Sequence, residues 1–190
     1  MSSDRGSTRG EQMQMLTVPG IGGSGPSHWQ SLWEEQPGFT GARFVPASWD
    51  EPQAADWLEA VSRAAEQLGP DVLVVAHSLG CLPVAHLAAG GLDCRGVVLV
   101  APPDVHGPAF PAAAVGFAEL AEAPSTVPAL LISSSDDPYC TPTVTDQLAA
   151  RWQAEHVDVG PFGHLNESAG LGIWDKGREL VREFVSRRLG

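Results

Sequence analysis

Positive charge is scarce in this sequence: 11 Lys and Arg stand against 23 Asp and Glu, a formal net charge of -12. A phosphate backbone or an anionic membrane surface repels such a chain at long range, so nucleic-acid binding and electrostatic membrane association are disfavoured. Cysteine is also sparse. Cys81, Cys94 and Cys140 are an odd number without metal-ligand spacing, which suits reduced thiols in a cytosol better than a disulfide framework or a zinc site. The opening residues are polar and lack the apolar core of a signal peptide, and no apolar run approaches the length of a membrane span. A soluble cytoplasmic protein is therefore expected. The glycine-dense stretch Pro19 to Pro26 matches neither the Gly-x-x-x-x-Gly-Lys-Ser/Thr nor the Gly-x-Gly-x-x-Gly nucleotide pattern, and it contains no lysine. No cofactor and no metal is expected, and no internal repeat is present.

What is there reads as one domain. Residues 1–12 have almost nothing apolar to bury and are expected to form a disordered tail, with a single domain over 13–190. A first strand over Met13–Val18 runs into the glycine-rich loop, and a helix over Ser27–Gln36 follows. A second strand covers Ala42–Pro46. The helix expected over Pro52–Leu68 places Ala54, Trp57, Leu58, Val61, Ala65 and Leu68 on one face. Val72, Leu73, Val74 and Val75 favour a buried strand, and Leu82–Ala89 has the composition of a helix. Further strands are expected at Gly96–Val100, Ala129–Ser133 and His156–Val159, with helices at Thr141–Gln153 and Trp174–Arg188. The Pro- and Ala-rich stretch 101–128 is expected to hold one short helix around Val115–Ala121. This alternation predicts an α/β fold with about six mainly parallel strands and helices on both faces. In such sheets ligands gather beyond the carboxyl ends of the strands. The Gly22 loop, Ser78, the Ala101 loop, Asp136-Asp137 and the Gly163-His164 loop all fall on that edge.

The segment Asp71–Pro83, DVLVVAHSLGCLP, has the strand, sharp turn and helix context of a nucleophile elbow, with Ala76 and Gly80 as the small residues on either side of Ser78. The alternative for Ser78 read alone is a helix N-cap in an ordinary βα turn. A serine hydroxyl becomes a nucleophile only with a histidine to take its proton and a carboxylate to orient that histidine. In hydrolase sheets these partners follow in the order Ser, Asp or Glu, His, each on a loop after a later strand. Asp136-Asp137-Pro138 follows one apolar strand and Gly163-His164 follows the last, so the order is met. Asp137, next to Pro138, is the candidate carboxylate. His164 is the candidate base, because His77 points away from the nucleophile's side and His86, His106 and His156 sit where structural roles suffice. His28, after the glycine-rich loop, is a candidate pocket residue, as are Gly22, Trp49 and Trp174 on expected loops. For the two tryptophans core packing is an equal reading. The glycine-rich loop leaves backbone amides uncovered and could supply an oxyanion donor from about Ile21. Cys81 and Cys140 read as buried structural residues.

Taken together, PGIGGSGPSHWQSLWE, AHSLG, SSSDDPYC and GHLNESAGLGIWDKG resemble the small serine hydrolases of the retinoblastoma-binding protein nine type, a lidless branch of the α/β-hydrolase superfamily. The resemblance runs from about Met13 to the end; Ala76 departs from the usual glycine. It implies a compact fold without a cap domain, a triad of Ser78, Asp137 and His164, and oxyanion amides near Ile21 and from Leu79. The expected activity is hydrolysis of a small ester-like acyl substrate through an acyl-enzyme. A thioesterase, lactonase or amidase would use the same residues, and a non-catalytic protein-binding module is the rival from another class. The expected partner is a small-molecule acyl substrate, with the chain a monomer or homodimer.

Overall fold

A computed structural model describes residues 14–120 and 123–190. The tail expected over 1–12 and Met13 lie outside the described residues. Six strands form one wholly parallel sheet: β1 (Met15–Val18), β2 (Gly41–Arg43), β3 (Leu73–His77), β4 (Gly96–Val100), β5 (Ala129–Ser133) and β6 (Glu155–Asp158), in the order β2-β1-β3-β4-β5-β6. The chain moves outward from β1 to β2 and returns to β3 on the other side of β1. The sheet's switch point therefore lies between β1 and β3, where the strand ends splay connections apart and open a crevice.

Alternation along the central strands divides the core between two faces. Val74 and Ala76, Val97 and Leu99, and Leu131 pack with helices α2 (Ala54–Leu68), α3 (Cys81–Ala89) and α4 (Pro142–Trp152). Leu73 and Val75, Val98 and Val100, and Leu130 and Ile132 pack with α1 (Trp29–Glu34) and α5 (Asp175–Arg188). Both faces being covered is why β3, β4 and β5 read as continuous apolar runs rather than as alternating ones.

No helix forms at 115–120; Ala121 lies outside the described residues. Val115 instead makes an isolated bridge to Gln53, its N–H donating to the Pro52 carbonyl at 3.2 Å and its carbonyl accepting from Ala54 N–H at 3.0 Å. Gln53 makes no side-chain cap bond, so this contact satisfies an otherwise open amide at the start of α2. Among the described residues no helix is long and apolar enough to cross a membrane.

Candidate active site

Both loops at the switch point carry unusual backbone. β3 ends at His77, and Ser78 takes a left-handed conformation with φ 55° before a short 3-10 turn leads into α3. A non-glycine residue there costs on the order of 1–3 kcal/mol and persists only where its surroundings hold it. The surroundings are close. A Cβ on Gly80 would lie 2.5 Å from the Val18 carbonyl oxygen and 2.6 Å from that of Pro19, so the elbow rests directly on the end of β1. Ala76, where the elbow usually has glycine, is fully buried, its methyl packed in the core shared with α2 and α3.

The structure brings Ser78, His164 and Asp137 together in one chain of hydrogen bonds. Ser78 Oγ lies 2.7 Å from His164 Nε2, and His164 Nδ1 lies 2.9 Å from both Asp137 oxygens. A carboxylate can only accept, so Nδ1 carries the proton; Nε2 is then free to accept from the Ser78 hydroxyl. Asp137 and His164 are each 9% exposed, while Ser78 is half-buried at the floor of a cavity. Asp137 Oδ1 also accepts from Tyr139 N–H at 2.9 Å, and the Tyr139 ring sits 4.4 Å from the His164 ring.

The neighbouring aspartate does something else. Asp136 Oδ1 accepts from the Ser134 hydroxyl at 2.8 Å and from Gly163 N–H at 2.7 Å, while Ser134 Oγ accepts from Phe162 N–H at 2.9 Å. The Ser134 hydroxyl, with the Gly163 amide, holds the Asp136 carboxyl below its ordinary range. One aspartate thus reaches the imidazole, and the other ties the two loops together.

His164 is braced from beneath as well. His77 Nε2 donates to the His164 carbonyl at 3.0 Å, which fixes the His77 tautomer. Burial, reinforced by His28 and His164, lowers the His77 pKa well below the usual value, so this ring stays neutral. Trp29 Nε1 donates to the Leu165 carbonyl at 2.8 Å and Trp33 Nε1 to the Ile173 carbonyl at 2.6 Å. Trp174 packs on both indoles, with centroids 5.1 and 6.2 Å away.

Trp49 and Trp174 therefore do not line the pocket. Trp174 is 5% exposed within the indole cluster beneath the histidine loop. Trp49 packs edge-on to Phe44 and Trp57 and lies under Gly23, where a Cβ would meet the indole at 2.9 Å. Both rings follow the large apolar surface that an indole gains by burial. Ile21, Gly22, His28 and Leu79 do line the cavity. His28 Nδ1 accepts from Gln30 N–H at 3.2 Å, and its Nε2 is buried without a partner among the described residues. Burial, then Arg43 and His164, lowers its pKa to about 4.

The glycine-rich loop is held by a residue that sequence reasoning missed. Arg43 on β2 reaches across to the carbonyls of Gly23 and Ser24 and to Ser31 Oγ at 2.7 Å, with its Nε on Glu34 at 3.0 Å. The Gly22 amide donates to the Trp49 carbonyl and the Gly23 amide to the Gly20 carbonyl, which places Ile21 at the apex of the turn facing the cavity. A Cβ on Gly20 would lie 2.8 Å from Ser78 Cβ, so the loop passes against the nucleophile elbow. Glu167, Tyr139, Pro103 and Pro111 also line the cavity and carried no recognisable signal in the sequence. Cys81 is buried, its thiol donating to the Val100 carbonyl and its pKa pushed well up by burial. Among the described residues no group of three His, Cys, Asp or Glu could hold a metal ion.

Such an arrangement can move a proton from Ser78 to His164. Comparison with known proteins agrees in kind. A family model described as serine hydrolase matches residues 15–183. A structure from Pectobacterium atrosepticum assigned as a YdeN-like hydrolase is 31% identical, with 93% of this chain and 92% of that one covered and a TM-score of 0.79. The ydeN gene product of Bacillus subtilis is 21% identical, with coverage of 91% and 98% and a TM-score of 0.75. An α/β-superfamily structure from Xanthomonas campestris is 17% identical, with coverage of 92% and 98% and a TM-score of 0.65. Comparison with curated protein sequences gives no match. With a parallel α/β sheet, the serine at its strand-to-helix elbow and a family model spanning residues 15–183, the chain belongs to the serine hydrolase family.

Proposed function

We propose that the protein hydrolyses small ester-like acyl substrates through a Ser78-His164-Asp137 triad, as a carboxylesterase of the lidless retinoblastoma-binding protein nine type. The observation that carries this reading is the unbroken path from Ser78 Oγ through His164 to Asp137, with contacts of 2.7 and 2.9 Å. Ser78 Oγ attacks the acyl carbon while its proton passes to His164 Nε2. Negative charge on the former carbonyl oxygen is stabilised by the Ile21 and Leu79 amides, each such donor being worth on the order of a hundredfold in rate. His164 then protonates the departing oxygen, and water admitted to the same position is deprotonated by His164 and releases the acid. Asp137 holds the imidazole tautomer throughout and keeps its own charge. The same steps would open a thioester, lactone or amide. Three free, buried cysteines suit a reducing compartment, and we place the protein in the cytoplasm on that basis.

Treatment with a fluorophosphonate probe should label Ser78, and Ser78→Ala should abolish both labelling and p-nitrophenyl acetate hydrolysis with little change in melting temperature. Absence of labelling in folded protein would favour a non-catalytic binding module, and undiminished turnover in Ser78→Ala would move the chemistry to another residue.

A further inference from the structure

The cavity over Ser78, about 400 Å³, is built by two pairs of loops of opposite character. The loops after β4 and β5 are tied by Asp104 N–H donating to the Tyr139 carbonyl at 2.9 Å, and they contribute Pro103, Pro111 and Tyr139. The loops after β1 and β6 contribute Ile21 and the polar Ser24, Asn166, Glu167 and Ser168. These two also touch, because the Glu167 carboxylate lies against Gly25 so closely that a Cβ there would meet Oε1 at 2.5 Å.

Glu167 is held in place by its own turn. Asn166 accepts from Ser168 N–H at 3.0 Å, and Gly170, left-handed at φ 64°, closes the 3-10 turn by donating to the Glu167 carbonyl at 3.0 Å. Among the described residues, no other Asp, Glu, Lys or Arg lines the cavity. Arg43, which is bound to this rim, is engaged by Glu34 and by the loop carbonyls. Asp137 adds a second negative charge behind His164. A pocket lined this way focuses a negative potential on whatever sits beside Ser78.

We propose that Glu167 is a specificity-determining residue that selects esters carrying a cationic group on their polar half and disfavours anionic ones, including phosphate-bearing thioesters. The inference rests on the hydrolase reading above: the apolar loops take the hydrocarbon half of the substrate, and the Glu167 rim takes an ammonium. Because the carboxylate is exposed, the attraction is that of a solvent-screened pair, about one and a half- to fivefold in affinity.

The experiment compares kcat/KM for acetylthiocholine, its neutral isostere 3,3-dimethylbutyl thioacetate, and an acetyl thioester of similar size ending in a carboxylate. Wild type should prefer them in that order, by about one and a half- to fivefold per step at low salt, with the steps shrinking in 0.5 M NaCl because the screening length there falls to about 4 Å. Glu167→Gln should bring the ratios toward one, and Glu167→Lys should reverse them. Glu59→Gln removes the same charge from α2, where Glu59 pairs with Arg63, and should leave the ratios as in wild type. Equal rates for the three substrates in wild type, ratios unmoved by Glu167→Gln, or an equal shift from Glu59→Gln would each overturn the proposal. Binding of the same three compounds to Ser78→Ala, followed by tryptophan fluorescence, reads the charge order without turnover. Failure of the hydrolase reading would show as loss of turnover on every substrate by wild type, and the binding order would still decide the role of Glu167.

Discussion

Gly20→Ala tests whether the contact between the first loop and the elbow sets the reactive geometry. The new methyl carbon would start 2.8 Å from Ser78 Cβ and 3.1 Å from Ser78 Oγ. Relief to an ordinary carbon contact needs at least about 0.6 Å of movement, shared between Ser78 and the turn bearing Ile21. Ser78 Oγ sits 2.7 Å from His164 Nε2, so a shift of that size stretches or bends the proton path and also moves the oxyanion amide. Misplacement of reacting groups by about 1 Å can cost about a hundredfold, and a loss of about ten- to a hundredfold in kcat is expected here. Gly20 is not among the positive-φ glycines, so alanine adds no backbone strain and acts only through the collision. Stability should fall by about 1–3 kcal/mol, as for other overpacked sites, or roughly 2–12 °C in Tm for a chain of this size. Steady-state hydrolysis of p-nitrophenyl acetate, the rate of fluorophosphonate labelling and a thermal melt would be measured on one preparation. Activity within twofold of wild type would show that the loop does not press on the elbow in solution, and the reasoning would fail.

Two further changes probe the supports of the site. Arg43→Lys keeps the charge near Glu34 but loses the fork that spans Gly23, Ser24 and Ser31, so kcat should drop by about tenfold with KM little changed; wild-type kcat would remove Arg43 from loop positioning. His28 has its pKa lowered to about 4, so the unfolded chain binds its proton first, and stability present above about pH 6.5 is lost as pH falls from there toward 4. For His28 alone the loss between pH 7 and pH 5 is about 2 kcal/mol, and His77 acts in the same direction. Urea midpoints should show a shallower acid decline in His28→Gln, and an unchanged slope would refute the assignment.

The sheet was legible because β3, β4 and β5 are buried on both faces and must be apolar throughout, and because residues after successive strands converge on one edge whatever the loop details. Asp137, rather than Asp136, reaching His164 follows from its place at the turn next to Pro138. The 102–120 stretch was less legible. Its composition permits a helix, but Val115 serves the open N-terminus of α2, a demand set by an element some 60 residues earlier. Trp49 and Trp174 misled because indoles near an active edge can face either way, and here packing took both. Arg43 and Glu167 act on loops remote in sequence, at Gly23 and Gly25, and no local pattern announces such partnerships.

The bonds that join the loops after β5 and β6 also govern how the site can adapt. Ser135 N–H donates to the Gly160 carbonyl at 3.1 Å, alongside the Ser134 and Asp136 contacts to Phe162 and Gly163. The amides of Phe162 and Gly163, although on a surface loop, should therefore exchange with solvent only when the β5–β6 edge itself opens. The histidine cannot swing out on its own. Accommodation of substrates of different shape then falls to the opposite wall, where, among the described residues, the backbone of 102–120 bonds to the rest of the protein through Asp104 and Val115.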